Sequence, residues 1–388
     1  VFGIESNKNV EFSNVFTVED GKYVEIGSLF GVENGKYVEL MGGGSCIYIV
    51  KCSQDAPDSG TSHAPRDGIF RFDASSDNAQ VQLRQSTNYG YTLGQPVYGN
   101  GRVLLPAYIS AENAQYASKS RGYYYSTNNG KTWTFVENAS LCSSYNVAWF
   151  SDGLFRRPNN SGKIYTSSDA VNWIDTGKSS TIPFQYILVL KNTIVALYMP
   201  SNAEGSTTLY YSKDNGNGWT SVNYSVGRTK LIALNSDASG NSWFIVIKSN
   251  SNSNSYYFDY DLYTVINGVP AANGHIIDYI SLSSSAYAYA AYDGNKKCIV
   301  GAGKYIRVVE YGTGWTRADG ATVTNVTLPI QAYDMAYMDG RFIAFGRDYV
   351  GYAYSTDGIS WTTASYTLGV DGTSMYVLHN SQPLIIQQ

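Results

Sequence analysis

An all-β fold is predicted by three observations on the 388-residue sequence. Its composition joins 35 Tyr and 38 Gly to a charged fraction of only 15%, a mixture that favours strands and tight turns over long helices. A 14-residue repeat fills the first 42 residues. Past residue 45 a longer repeat begins, in which a polar turn closed by an aromatic residue or Leu recurs every 40 to 52 residues. A period of that length, with four strands per unit, is the radial architecture of a β-propeller.

The short repeat aligns without slippage as VFGIESNKNVEFSN (1–14), VFTVEDGKYVEIGS (15–28) and LFGVENGKYVELMG (29–42). Phe2, Phe16 and Phe30 coincide, as do Val10, Val24 and Val38. Asp20-Gly21 and Asn34-Gly35 at the unit centres are strong two-residue hairpin turns, because both residues accept positive φ; Asn7-Lys8 takes that place in the first unit. A lone hairpin of this size cannot bury its apolar face. Stacking on like units, or on copies in other chains, solves the problem. Residues 1–45 are therefore expected to form a self-associating stalk or anchor; the plainer alternative is that they add strands to the main domain. Val1 opens a repeat with no Met before it, so further repeats are expected upstream. The Gly-Gly-Gly-Ser run at 42–45 reads as a flexible joint, which divides the chain into 1–45 and 46–388.

The longer repeat centres on one turn. Ser126-Thr127-Asn128-Asn129-Gly130-Lys131-Thr132-Trp133 is one copy, and Ser212-Lys213-Asp214-Asn215-Gly216-Asn217-Gly218-Trp219 is another. Copies one residue shorter run from Ser167 through Asp169 to Trp173, and from Ser355 through Asp357 and Gly358 to Trp361. A copy with Leu in place of Trp runs from Ser86 through Asn88 and Gly90 to Leu93, and weaker ones lie at Tyr257–Tyr263 (with Asp259 and Asp261) and Tyr311–Trp315. Asp, Asn and Ser at a hairpin tip accept hydrogen bonds from backbone N–H groups that the turn leaves unpaired. Gly takes the left-handed conformation, and Trp packs a large apolar area against a neighbouring sheet. Closing residues at 93, 133, 173, 219, 263, 315 and 361 predict seven four-stranded blades. Six or eight stay open, since the stretch 240–320 is degenerate.

The pattern Ser-x-Asp/Asn-x-Gly-x-Thr-Trp resembles the Asp-box, or bacterial-neuraminidase repeat, of sialidase-like β-propellers, over roughly residues 46 to 388. In that family the box is structural. The intervening segments fit: Tyr145–Ser151 before Asp152-Gly153, Ala286–Tyr292 before Asp293-Gly294, Tyr333–Met338 before Asp339-Gly340, and the runs Ile187–Leu190 and Leu231–Leu234 read as strands. Ser374–His379 and Leu384–Ile386, with no box after them, are expected to close the ring against the first strands.

Charge and cysteine exclude several functions. The net charge of −4 resides in residues 1–45, where Lys8, Lys22 and Lys36 face Glu5, Glu11, Glu19, Asp20, Glu25, Glu33 and Glu39. No basic cluster exists to displace nucleic-acid counterions. No run of 18 apolar residues predicts membrane insertion, and no signal peptide is visible. Cys46, Cys52, Cys142 and Cys298 show no CxxC, and His63, His275 and His379 are dispersed, so neither a metal site nor a cofactor is expected. Four thiols, mostly buried, are the plain expectation.

The resemblance implies a sialidase alternative, which needs three Arg on a carboxylate, a Tyr nucleophile activated by Glu, and an Asp acid/base. Phe155-Arg156-Arg157-Pro158 looks like the family's first Arg motif, but it departs from it at the third position and follows two boxes; otherwise it reads as an edge strand with exposed Arg and a Pro stop. The candidate Glu residues are Glu112, Glu137, Glu204 and Glu310, of which Glu310 adjoins Tyr311. The clusters Tyr123-Tyr124-Tyr125, Tyr210-Tyr211 and Tyr256-Tyr257-Phe258 suit sugar stacking, yet they precede box turns and read better as strand residues at blade interfaces. Loops rich in Tyr, Ser, Asn and Gly suit binding. A short-period β stalk joined to such a propeller looks like a fibre or spike of a tailed bacteriophage. The expectation is thus a non-enzymatic virion attachment protein, trimeric through 1–45, contacting other virion proteins and a host-surface glycan. Away from a virion the chain is expected to be soluble. A sialidase-type glycoside hydrolase and a cellular propeller scaffold are the alternatives.

Overall fold

The computed structural model describes the strands of residues 16–93 and 374–379 as backbone and, with interruptions, residues 96–364 with their side chains. The first repeat unit and the expected strand at 384–386 lie outside the described residues. The chain divides into two units, Val1–Gly44 and Ser45–Gln388.

In the first unit Phe16–Glu19 pairs antiparallel with Lys22–Glu25, and Leu29–Glu33 with Lys36–Met41, as two separate hairpins. The registers Glu19↔Lys22 and Glu33↔Lys36 leave two residues for each turn, as the Asp-Gly and Asn-Gly centres require.

The second unit is a β-propeller. Sheet one is ordered Ser374–His379, Cys46–Cys52, Gly68–Asp73, Asn78–Arg84. Sheet two has Val97–Gly99 and Tyr91–Leu93 on one edge of Arg102–Ile109, then Gly122–Ser126 and Thr134–Glu137. Sheet three is Trp149–Ser151, Leu154–Pro158, Lys163–Ser167, Ile174–Ser179; sheet four is Phe184–Val189, Ile194–Tyr198, Thr208–Ser212, Thr220–Val222. Sheet five is Thr229–Ser236, Ser242–Ser251, Tyr256–Ile266, Val269–Leu282, and sheet six is Ala288–Tyr292, Lys297–Ala302, Tyr305–Glu310, Thr322–Thr327. Sheet seven is Ala332–Met338, Arg341–Gly346, Gly351–Ser355, Thr362–Ser365. All pairings are antiparallel, and from sheet two to sheet seven, and on to Ser374–His379, each first strand packs against the next. Cys46–Cys52 meets Tyr91–Leu93, which closes the ring. The expected closure is thus present: Ser374 pairs with Cys52 and His379 with Ile47.

The core is a set of layers between sheets. Along the second strand of sheet five, Phe244 and Val246 pack toward sheet four, whereas Ile245 and Ile247 pack toward sheet six. Strand alternation sends successive side chains to opposite faces, and here both faces are buried, so the strand reads as a continuous apolar run. At the ring's inner edge the backbone approach is close: a Cβ on Gly99 would lie 2.2 Å from the Phe150 ring of the next sheet.

Two of the seven expected corners are misplaced. Tyr91–Leu93 pairs with Arg102–Ile109, so the copy at 86–93 begins sheet two and does not end sheet one; the corresponding corner joins Gly68–Asp73 to Asn78–Arg84. Residues 257–263 lie within one strand, and sheet five turns instead at Asn267-Gly268, with φ of 51° and 76°. The alternation in Tyr-Tyr-Phe-Asp-Tyr-Asp is a strand period, and Asn-Gly is the stronger turn signal. The number of sheets still equals the number of expected corners, because each misplaced corner stands for a real one nearby.

Candidate functional site

The four clear boxes share one geometry. Each Ser ends the third strand of its sheet and each Trp immediately precedes the fourth. The Ser hydroxyl donates to the Asp or Asn carboxyl or amide oxygen, at 3.0 Å in Ser126–Asn128, 2.9 Å in Ser167–Asp169, 2.6 Å in Ser212–Asp214 and 2.8 Å in Ser355–Asp357. The same hydroxyl accepts the N–H of Gly130, Gly216 and Gly358 at 2.8–2.9 Å. The indole N–H of Trp133, Trp219 and Trp361 donates to the carbonyl of that Gly. Ala170 replaces Gly in the box of sheet three, and Trp173 donates instead to the Tyr123 hydroxyl of sheet two, at 2.8 Å. Burial raises the Asp169 carboxyl, but N–H donors from Asn172 and Val171 outweigh it and hold the group below the usual carboxylate range. Donors from Ser360 and Ile359 hold Asp357 at about 2. Ser86, Asn88 and Gly90 lie outside the described residues.

Trp315 belongs to a different corner. Its turn is held by Thr316 and Asp319 around a short 3-10 turn, and its indole donates 2.9 Å across to Asn235 of sheet five. It is 1% exposed. The corners also receive donors from the preceding sheet, a tie that no local sequence pattern announces. Arg102 of sheet two donates to the Asp169 carbonyl, and Lys297 of sheet six to the Asp357 carbonyl, both at 2.8 Å. The indole of Trp149 in sheet three reaches the Asn215 carbonyl at 3.4 Å.

Among the described residues, those weighed for hydrolysis are not brought together. Leu154–Pro158 is an interior strand, not an edge, and both Arg156 and Arg157 are buried. Arg156 donates to Ser151, and Arg157 lies over the Tyr123 ring of sheet two, 5.4 Å from its centroid. They are buried because sheet three is covered on both faces by its neighbours. Glu310 pairs with Lys297, and the Tyr311 hydroxyl donates to the Thr313 carbonyl. Glu137 is exposed on an outer strand; Glu112 and Glu204 lie outside the described residues. Tyr123, Tyr124 and Phe258 are buried in the sheets, while Tyr210, Tyr211, Tyr256 and Tyr257 are half-buried. Cys298 is a free, buried thiol whose pKa is pushed up by burial. His275 faces Asp261, which also pairs with Lys248. Among the described residues no group of three His, Cys, Asp or Glu could hold a metal ion, and no helix is long and apolar enough to cross a membrane.

What the fold does create is two unlike faces. Antiparallel order puts the first-to-second turns and the box corners on one face, here the corner face, and the second-to-third turns and sheet-to-sheet connections on the other, the loop face. Corner-face turns are short, such as Asn100-Gly101, Asp152-Gly153 and Asn267-Gly268, all with positive φ. Cys46–Cys52 starts, and Ser374–His379 ends, at this face. The loop face joins its strands through longer segments, among them 53–67, 110–121 and 199–207. At its inner end Lys230 of sheet five reaches past sheet six to Asp334 of sheet seven, 2.7 Å away. Asp334 is 3% exposed and Lys230 27%. Nothing in the sequence marked this pair.

Each face carries a cleft. The one on the corner face, about 610 Å³, lies between sheets three and four beside Asp152, Lys191 and Lys213. The one on the loop face, about 490 Å³, lies over sheet six and takes in Ser281, Ser283, Lys304, Tyr305, Arg307 and Gln331.

No family model and no curated protein matches the chain. Among solved structures, apo AztD from Citrobacter koseri is similar over 85% of this chain and 83% of its own, at 11% identity and a TM-score of 0.45. YCF48 bound to D1 peptide is similar over 72% and 84%, at 12% identity and 0.43. Hydrazine synthase of Kuenenia stuttgartiensis is similar over 78% and 90%, at 8% identity and 0.46. At such values the propeller assignment rests on strand order.

Proposed function

We propose that the chain is a non-enzymatic structural and attachment protein, a subunit of a tailed-bacteriophage fibre or spike, whose propeller binds a host-surface glycan or a neighbouring virion protein with its loop face. The asymmetry of the two faces carries this reading. The corner face is cross-tied by side chains that reach from one sheet to the next. The loop face is connected by longer segments, the usual place for recognition residues on a rigid scaffold. The hairpin repeats supply the second support: such units bury their apolar face by stacking on copies, which a trimeric stalk provides.

Two measurements on the full chain test this. Sedimentation equilibrium is expected to give a trimer, and deletion of 1–45 a monomer; a monomeric full chain overturns the stalk. A glycan array probed with the full chain is expected to show selective binding without release of free sugar. Binding to no glycan and to no virion protein overturns the attachment role, and hydrolysis of a bound glycan overturns the non-enzymatic one.

A further inference from the structure

We propose that the cleft over sheet six on the loop face binds a saccharide through an oxyanion carried on the sugar. This rests on the glycan-binding reading above and places it at one site. The cleft brings Lys304, from the second-to-third turn of sheet six, beside Arg307 on the following strand. Among the described residues no acidic side chain lines it. The described connection that borders it, Leu328-Pro329-Ile330-Gln331, carries none either. Among the described residues neither cation pairs with a carboxylate, and the Arg307 guanidinium donates only to the Ile306 carbonyl, at 3.2 Å. A guanidinium has five donors in a rigid fork that matches an oxyanion. The cleft on the corner face is different in kind: Asp152 shares it with its cations, and Lys191 donates to the Asp237 carbonyl.

The remaining groups fit a sugar. Tyr305 is 41% exposed, a ring at the cleft with the Lys304 ammonium 5.7 Å from its centroid. An aromatic face offers apolar area to the C–H side of a pyranose. Ser281, Ser283 and Gln331 add hydroxyl and amide groups at the wall, the few placed polar groups by which small-ligand sites fix orientation. A volume of about 490 Å³ is within the ~300–1,000 Å³ usual for such sites.

The experiment is calorimetric titration of the full chain with three probes: a glucuronate-containing tetrasaccharide, its neutral methyl ester, and glucose 6-phosphate. The uronate or the phosphate is expected to bind at least roughly tenfold tighter than the ester, a difference of about 1.4 kcal/mol, with affinity falling as salt rises. Whichever anionic probe binds identifies carboxylate or phosphate as the group held. Arg307→Gln is expected to weaken that binding roughly tenfold or more, and the exposed Lys304→Gln, which leaves the fold untouched, by a few-fold. Lys191→Gln on the corner face is expected to change nothing. Equal binding of acid and ester, no binding of either anion, or indifference to Lys304→Gln overturns the site. In those cases selective binding on the glycan array would still uphold glycan recognition elsewhere on the propeller, and its absence there would remove both.

Discussion

The corner face and the loop face are made by the same strands, yet they are stabilised in different ways. On the corner face the box turns of sheets three, four and seven satisfy their own N–H groups through Ser and Asp oxygens, and each receives a donor or an indole from the adjacent sheet. Arg102 on Asp169 and Lys297 on Asp357 are examples, and Trp315 on Asn235 ties the corner of sheet six. On the loop face the side-chain ties described between sheets are fewer, with Lys230–Asp334 as the strong one. A ring of sheets can thus be held from one side, which leaves the other side free to vary in sequence and length without loss of the fold.

Substitutions can break or sharpen this contrast. The largest effect is expected at Trp315→Ala, which empties a fully buried corner and should cost about 3–5 kcal/mol, read as a fall in the urea midpoint. Next is Lys230→Met, which strands the buried Asp334 and should cost about 2–4 kcal/mol; adding Asp334→Leu should restore most of that loss. If the single change costs nothing, the loop face has no anchor. Ser212→Ala removes the acceptor of a buried Gly216 N–H and should cost about 1–3 kcal/mol. Acid should act on the same face. The folded state holds Asp357 at about 2 and holds Asp169 and Asp214 below their ordinary range, whereas an unfolded Asp titrates at ~3.9. Their stabilisation is complete above that unfolded value and is lost as pH falls from about 4 toward 2. Asp357→Asn should therefore lessen the fall of the urea midpoint across that window. Smallest is Tyr305→Ala, expected to stay within about 0.5 kcal/mol while weakening sugar binding.

How much was legible follows from the physics of each part. The box corners announce themselves because a turn with positive φ, a Ser hydroxyl and a following indole must sit at fixed spacing to satisfy one another. Corners built otherwise escape that pattern: Asn267-Gly268 closes sheet five with no indole, and the corner between Asp73 and Asn78 has no Trp. The apolar strands Ile194–Tyr198 and Lys297–Ala302 read easily, since both faces are buried. The motif Phe155-Arg156-Arg157-Pro158 misled for the converse reason. Arg suggests an edge, but Arg156 and Arg157 lie in an interior strand where Ser151 and Tyr123 receive them. Lys230 and Asp334 are brought together only by the closure of the ring, and no local pattern encodes that.

The strand Ser374–His379 lies beside Cys46–Cys52, although almost the entire propeller is synthesised between them. Contacts so distant along a polypeptide form late and slowly. A ribosome must therefore release that last strand before the first sheet is complete, so a prematurely terminated product would leave Cys46–Cys52 as an unprotected edge able to recruit a foreign strand. Closure in this manner makes completeness of the chain a condition for a capped, non-aggregating disc, and an assembly that accepts only such discs would reject truncated copies without any separate inspection step.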